Sequence, residues 1–122
     1  MAAPNIVNVT SIYGKSKGVA LDTTLTTALL ANGNGSNKLL KLNSIIVSNI
    51  DGSNAADVTI SLHDGSTDYY LAKIVTVPSK STLIVLGKDA PIYLEENQTV
   101  RGGASAAGDL HCIISYEELD DA

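Results

Sequence analysis

Short apolar runs separated by Gly, Asn, Asp and Pro are the feature that most constrains how this chain folds. In residues 56–63, Val58, Ile60 and Leu62 alternate with polar side chains, the period of two that marks a strand with one buried face. Turn residues recur every eight to twelve positions or so, and no helical period of useful length is present. The runs predict eight strands, over residues 6–13, 23–31, 39–50, 56–63, 69–77, 82–86, 91–100 and 110–116.

This pattern predicts an all-β fold, a single eight-stranded antiparallel β-sandwich of the jelly-roll type. The length of 122 residues suits one domain. We assign residues 1–118 to the sandwich and residues 119–122 to a short acidic C-terminal tail. Because the chain has no Trp and no Phe, its core must be aliphatic, and β-branched side chains suit the pleated faces of packed sheets.

Glycine-rich and asparagine-rich stretches between the runs predict turns. Residues 14–18 read as a flexible hairpin loop, and residues 64–68 as the tip of a hairpin stabilised by Asp and Ser side chains. Residues 23–31 fit a strand or a helical turn, and their threonines favour the strand. Gly14-Lys15-Ser16 lacks the upstream glycine of a phosphate-binding loop, since Val9 stands at that position.

The longest predicted strand, 39–50, is apolar on both faces. We place Ile45 and Val47 on one face, and Leu40, Leu42, Ile46 and Ile50 on the other. A strand of this kind is either internal to the fold or covered by a neighbouring subunit. Tyrosines are also favoured at interfaces, although they can equally cap a core with the hydroxyl in water. The predicted interface residues are Ile45, Val47, Tyr69, Tyr70, Tyr93 and Tyr116.

Charge and reactive residues argue against several function classes. The net charge is −5, but four of the thirteen acidic residues lie between positions 117 and 121, so the body is nearly neutral. With Arg101 as the only arginine, nucleic-acid binding is not expected. The start of the chain lacks the pattern of a signal peptide, and no apolar run is long enough to span a bilayer, so we expect synthesis in a cytoplasm and no membrane partner.

No residue pattern predicts catalysis, a metal or a cofactor. His111 and Cys112 are adjacent on a predicted strand and therefore point to opposite faces, so they cannot readily share a metal. The same geometry separates the paired glutamates at 95–96 and 117–118. Cys112 fits a small core residue, because Leu110, Cys112 and Ile114 share one strand face. We therefore expect no enzymatic activity.

Several stretches in a fixed order resemble a group of small virion structural proteins of tailed phages, particularly marine cyanophages and their relatives. They are residues 45–52 (IIVSNIDG), 55–60 (AADVTI), 77–78, 82–83, 91–96 (PIYLEE) and 115–118 (SYEE). The resemblance extends over roughly residues 2–118 and consists of strand and turn patterns.

This resemblance implies a capsid decoration (cement) protein that stabilises the head by binding across subunits of a major capsid protein. It further implies a homotrimer on the outside of the capsid, made in the host cytoplasm, and it carries no active-site residue over to this chain. Two alternatives remain open at this stage. One is a neck, tail or fibre module that takes part in host adsorption, and the other is a carbohydrate-binding β-sandwich in which Tyr69, Tyr70 and Tyr93 replace the usual Trp and Phe.

Overall fold

The structure, a computed structural model, describes residues 11–120. These residues form antiparallel strands joined by turns. Within these residues there are nine strands and no helix, which confirms the all-β prediction. The count exceeds the predicted eight because the run 91–100 divides at a turn in which Asn97 has a φ of 65°. The strands are β1 (Ser11–Ala20), β2 (Ala28–Asn32), β3 (Lys38–Asn49), β4 (Ala56–His63), β5 (Asp68–Val77), β6 (Thr82–Leu86), β7 (Ile92–Leu94), β8 (Gln98–Ala104) and β9 (Leu110–Asp120).

The strands form two antiparallel sheets. The first has the order β1-β9-β3-β6, and β7 also pairs with β3, beside the segment that pairs with β6. The second has the order β2-β8-β4-β5. Most connections therefore cross from one sheet to the other, and among strand neighbours in the chain only β4 and β5 pair as a hairpin within the second sheet.

Aliphatic side chains fill the space between the sheets, as the composition predicts. The largest of those that are almost fully buried come from both sheets and from the segment after β1, and they are Leu21, Leu29, Leu42, Ile45, Ile60, Leu94, Leu110, Ile114, Val47, Val58, Val77 and Val100. Removal of this apolar surface from water is the main favourable term in folding. Cys112 is 0% exposed and belongs to the same cluster.

A bulge in β3 reverses the predicted assignment of its faces. The pairing with β9 runs from Leu42 opposite Tyr116 to Ser44 opposite Ser115, so Asn43 is an extra residue. Since successive side chains alternate between the faces of a strand, one extra residue exchanges the faces beyond it. The prediction that Ile45 and Val47 form an interface is therefore wrong: both are 0% exposed and lie in the core.

The predicted loop at residues 14–18 is also wrong, because these residues form the middle of β1. Every residue of β1 pairs with β9, from Ser11 opposite Asp120 to Ala20 opposite His111. Cross-strand contacts compensate for the weak strand propensity of the Gly-Lys-Ser-Lys-Gly segment, since Ser16 Oγ lies 3.3 Å from Ser115 Oγ. The remainder of the predicted first strand, residues 6–10, lies outside the described residues.

The acidic end of the chain is part of a strand up to Asp120. β9 extends two residues past the predicted domain boundary at 118, and Leu119 is buried. Glu118 makes ion pairs of 3.3 Å with Lys15 and with Lys38, from the strands on either side of β9. The two lysines therefore offset the charge of Glu118, the last residue of the predicted domain.

The hairpin between β4 and β5 follows the prediction. Asp64 N–H donates to the carbonyl of Thr67, and Gly65 has a φ of 102°. The Asp64 carboxylate accepts hydrogen bonds from the backbone N–H groups of Ser66 (3.0 Å) and Thr67 (2.8 Å). These backbone hydrogen bonds, from Thr67 first and then Ser66, lower the pKa of Asp64 because they stabilise its charged form.

Two buried asparagines tie one sheet to the other. Asn49, in the first sheet, donates through Nδ2 to the carbonyl of Val77 (2.9 Å) in the second and to that of Asn54 (3.0 Å). Asn32, in the second sheet, donates to the carbonyls of Lys38 (2.8 Å) and Leu94 (2.9 Å) in the first. Buried carbonyls without a donor are costly, so these amides stabilise the sandwich and fix how the sheets align.

We expect Asn49→Ala to lower the free energy of unfolding by about 2–3 kcal/mol, because it leaves two carbonyls without their donor. Urea titration followed by circular dichroism measures this loss. The matched control is Asn54→Ala, in which an exposed side chain is removed and the backbone carbonyl is kept; its expected effect is below about 0.5 kcal/mol. Equal losses in the two variants would contradict the role of Asn49 as a tie between the sheets.

Candidate interaction surface

An isoleucine row crosses the outer face of the first sheet. Ile46 on β3 pairs with Ile84 on β6 and with Ile113 on β9, and Ile113 pairs in turn with Gly18 on β1. Ile84 is 66% exposed and Ile113 is 40% exposed, whereas Ile46, between them, is half-buried. Adjacent exposed apolar side chains of this kind make the row a candidate for contact with another molecule.

Small polar residues flank the row on both sides. One flanking row joins Thr82, Ser48, His111 and Ala20, and the other joins Ser44, Ser115 and Ser16. Their hydroxyls pair within the face, for example Ser48 Oγ with Thr82 Oγ1 at 3.2 Å. We call these three rows the isoleucine face. His111 is its one titratable side chain, so the face is nearly free of charge.

The sequence predicts a third strand that is apolar on both faces, but the residues predicted for its outer face are wrong. β3 is apolar on both sides, as predicted, but the outward residue is Ile46 and the inward ones are Ile45 and Val47. Ile84 and Ile113 are not among the predicted interface residues, although both lie in predicted strands. Their alignment beside Ile46 depends on the strand order, which no local pattern specifies.

The four predicted interface tyrosines occupy separate places. Tyr69 and Tyr70 lie on β5, the edge strand of the second sheet, and are 58% and 52% exposed. Tyr93 lies on β7 opposite Lys41, on the other sheet, and is also exposed. Tyr116 packs against the core from β9 and is only partly exposed. Their role in an interface stays a prediction, with Tyr116 closest to the core-capping alternative.

A polar cluster on the second sheet surrounds Asp68. Its Oδ1 accepts a hydrogen bond from Ser61 Oγ (3.2 Å) and lies 3.1 Å from His63 Nδ1, while Arg101 Nη1 is 3.6 Å from Oδ2. Ser61 is buried, and its hydroxyl points to the carboxylate rather than to the imidazole. Because a serine nucleophile needs a hydrogen bond to its base, this arrangement does not match a catalytic triad.

Other reactive groups are dispersed or buried. Among residues 11–120, no group of three or more His, Cys, Asp and Glu side chains is placed to hold a metal ion. No helix in that part of the chain is long and apolar enough to cross a membrane. Burial raises the pKa of the Cys112 thiol to about 11, because the charged thiolate is poorly solvated in the core.

A strained residue borders a shallow cleft on the outer side of the second sheet. Ile74 has a φ of 54°, which is rare for a β-branched side chain and costs about 1–3 kcal/mol. The strain arises at a bulge in β5, where Lys73 and Ile74 together oppose Thr59. Thr59 Oγ1 accepts a hydrogen bond from the Ile74 N–H at 3.1 Å, and the Ile74 side chain is left 62% exposed.

Comparison with known proteins gives likeness to solved structures and no sequence family. No family model matches the chain, and curated proteins give no significant match. A crystal structure of a pentameric capsid protein isolated from metagenomic phage sequences is similar, with 15% identity and a TM-score of 0.41. The alignment covers 85% of this chain and 60% of that one, so the chain spans less than two thirds of the length of that protein.

We expect Cys112 to be inert in the folded protein and reactive once the sandwich opens. A pKa of about 11, in place of 9.0, leaves about a hundredfold less thiolate at pH 8, and the side chain is buried besides. Labelling with a chromogenic disulfide reagent, with and without 6–8 M urea or so, measures both rates. Rapid, stoichiometric labelling of the native protein would contradict the burial of this thiol.

Proposed function

We propose that this protein is a non-enzymatic structural component of a phage virion, acting as a capsid decoration protein on the outside of the head. The observation that carries the proposal is the isoleucine face, an almost uncharged apolar surface on a rigid sandwich. The sequence stretches that resemble tailed-phage virion proteins give the class of particle.

The isoleucine face can supply the centre of a contact between subunits. Its rows span about 16 Å along the strands at about 3.3 Å per residue and about 19 Å across four strand positions at about 4.8 Å, which gives roughly 300 Å². Stable interfaces bury about 800 Å² on each partner, so this face supplies less than half of one and the surface around it supplies the rest. Its low charge also suits contact with identical copies, because no like charges are brought together.

The strand order supports a jelly roll as the finer description of the sandwich. β6 and β7 share one edge of β3, so the nine strands occupy four positions in each sheet. The chain passes back and forth between these two sheets, as in a jelly roll, an architecture found in viral capsid and lectin domains. Fold-level analogy of this kind is compatible with the proposal but does not by itself select a function.

We propose a homotrimer as the unit that binds a major capsid protein. Flat sheet faces from three copies can meet around a threefold axis as the sides of a prism, which buries the isoleucine rows between them. The trimer then presents three equal sets of outward surfaces, including Tyr69 and Tyr70, to a shell of matching local symmetry. Equal weak contacts made at once give the avidity that cementing requires.

We expect Ile84→Asp to disrupt the oligomer, because it places a charge in the apolar row. Light scattering coupled to size exclusion, at micromolar protein, compares the wild type with the variant, and the expected result is a trimer that becomes a monomer. Ile74→Asp is the matched control: Ile74 is 62% exposed but lies on β5 in the second sheet, so its oligomeric state should not change.

Binding of the same proteins to phage heads tests the decoration role. Saturable binding to heads that lack the decoration protein is expected for the wild type, and a loss of tenfold or more is expected for Ile84→Asp. A monomeric wild type would contradict the trimer, and wild-type protein that does not bind heads would contradict decoration.

Host adsorption through glycans is the second candidate, favoured by the exposed Tyr69 and Tyr70 rings on β5. The Lys73 ammonium lies 4.8 Å from the centroid of the Tyr70 ring, which leaves a polar and aromatic edge that could contact sugars. Binding to a glycan array that is lost in Tyr70→Ala and kept in Ile84→Asp would favour this candidate over decoration.

A further inference from the structure

The cleft beside the strained Ile74 has the features of a site for one cationic side chain. Its volume is about 310 Å³, and Leu25, Asp57, Thr59, Ile74 and Ser105 are among the residues that line it. This is at the lower end of the range for small-molecule sites, so it suits a single extended side chain better than a larger ligand.

The cleft is amphipathic. Leu25 and Ile74 are exposed aliphatic side chains that belong to its lining, one from the turn after β1 and one from the bulge in β5. The turn is held in place by Asp22, whose Oδ1 accepts from the Thr24 N–H (3.0 Å) and from Thr27 Oγ1 (3.1 Å). Both apolar groups therefore project from segments whose conformation is fixed by hydrogen bonds.

The polar part of the lining centres on Asp57. Its Oδ1 accepts a 2.7 Å hydrogen bond from Thr76 Oγ1, and its N–H donates to Ser105 Oγ at 2.8 Å. None of the ion pairs formed among residues 11–120 involves Asp57. Lys73, which belongs to the bulge, has its ammonium over the Tyr70 ring, 4.8 Å from the ring centroid. The carboxylate is thus oriented by neighbours and has no cation of its own.

We propose that this cleft binds a lysine or arginine side chain presented by a partner protein. The aliphatic stem of such a side chain would pack between Leu25 and Ile74, and its charged head would meet the Asp57 carboxylate, as long basic side chains do when they cover apolar surface. Charge complementarity selects this occupant, since a neutral apolar side chain would leave Asp57 desolvated without a partner. This site is separate from the isoleucine face and does not depend on decoration being the function.

The strain at Ile74 gives a test that separates binding from folding. Asn adopts positive φ readily, so Ile74→Asn should relieve the backbone while removing the apolar side chain. We expect this variant to unfold at the same or higher temperature than the wild type and yet to bind a cationic side chain more weakly. A residue whose role is only structural would not show this combination.

The experiment is a nuclear magnetic resonance titration of the ¹⁵N-labelled full chain with N-acetyl-lysine-N-methylamide. The expected result is saturable shifts of the amides of Thr59, Ile74 and Ser105, with a Kd in roughly the millimolar range, as suits one side chain. The norleucine analogue, which keeps the stem and lacks the ammonium, should bind at least about fivefold more weakly.

Two acidic variants complete the test. Asp57→Asn keeps an oxygen for Thr76 but loses the charge, and it should weaken lysine-probe binding about fivefold or more. Asp89→Asn makes the same change in net charge in the exposed segment before β7 and should leave binding unchanged. Equal binding of the lysine and norleucine probes, or wild-type affinity in Asp57→Asn, would overturn the proposal.

Discussion

One extra residue in the central strand determines which side chains this protein shows to its surroundings. At Asn43, β3 gains a position relative to β9, and beyond it the inward and outward faces exchange. Ile45 and Val47 then complete the core, while Ile46 joins Ile84 and Ile113 on the outside. β9 continues without a shift along β1, so the extra residue in β3 keeps its inward and outward residues aligned with those of β9 on both sides of the bulge.

The two sheets divide the tasks of the molecule. Inside, aliphatic packing and the amides of Asn32 and Asn49 hold the layers in one alignment. Outside, the first sheet offers the isoleucine face, which carries little charge, and the second offers polar clusters and a cleft. A rigid core of this kind lets both outer faces keep a fixed geometry, since packed interiors transmit shape rather than deform.

The sequence predicts features that depend on neighbouring residues, such as strand alternation and turns. It does not predict features that depend on the pairing of distant strands. The alternation in residues 56–63 and the Asp64 turn are local, and both are present as predicted. The bulges at Asn43 and Ile74 are defined by register against a partner strand, so the residues around each one do not specify it. The Gly-Lys-Ser-Lys-Gly segment of β1 reads as a loop because its partner, β9, is almost a hundred residues away.

Among residues 11–120, β1 is an edge strand of the first sheet, and this has a consequence for the protein before it meets any partner. A long strand with one unpaired side is a template on which other chains can add and grow into fibrous aggregates. Lys15 and Lys17 stand two residues apart on one side of β1, so antiparallel registers that pair most of two such strands set lysine against lysine. Repulsion between these lysines disfavours such pairing between copies, so ordered contact is left to the surfaces that carry no charge.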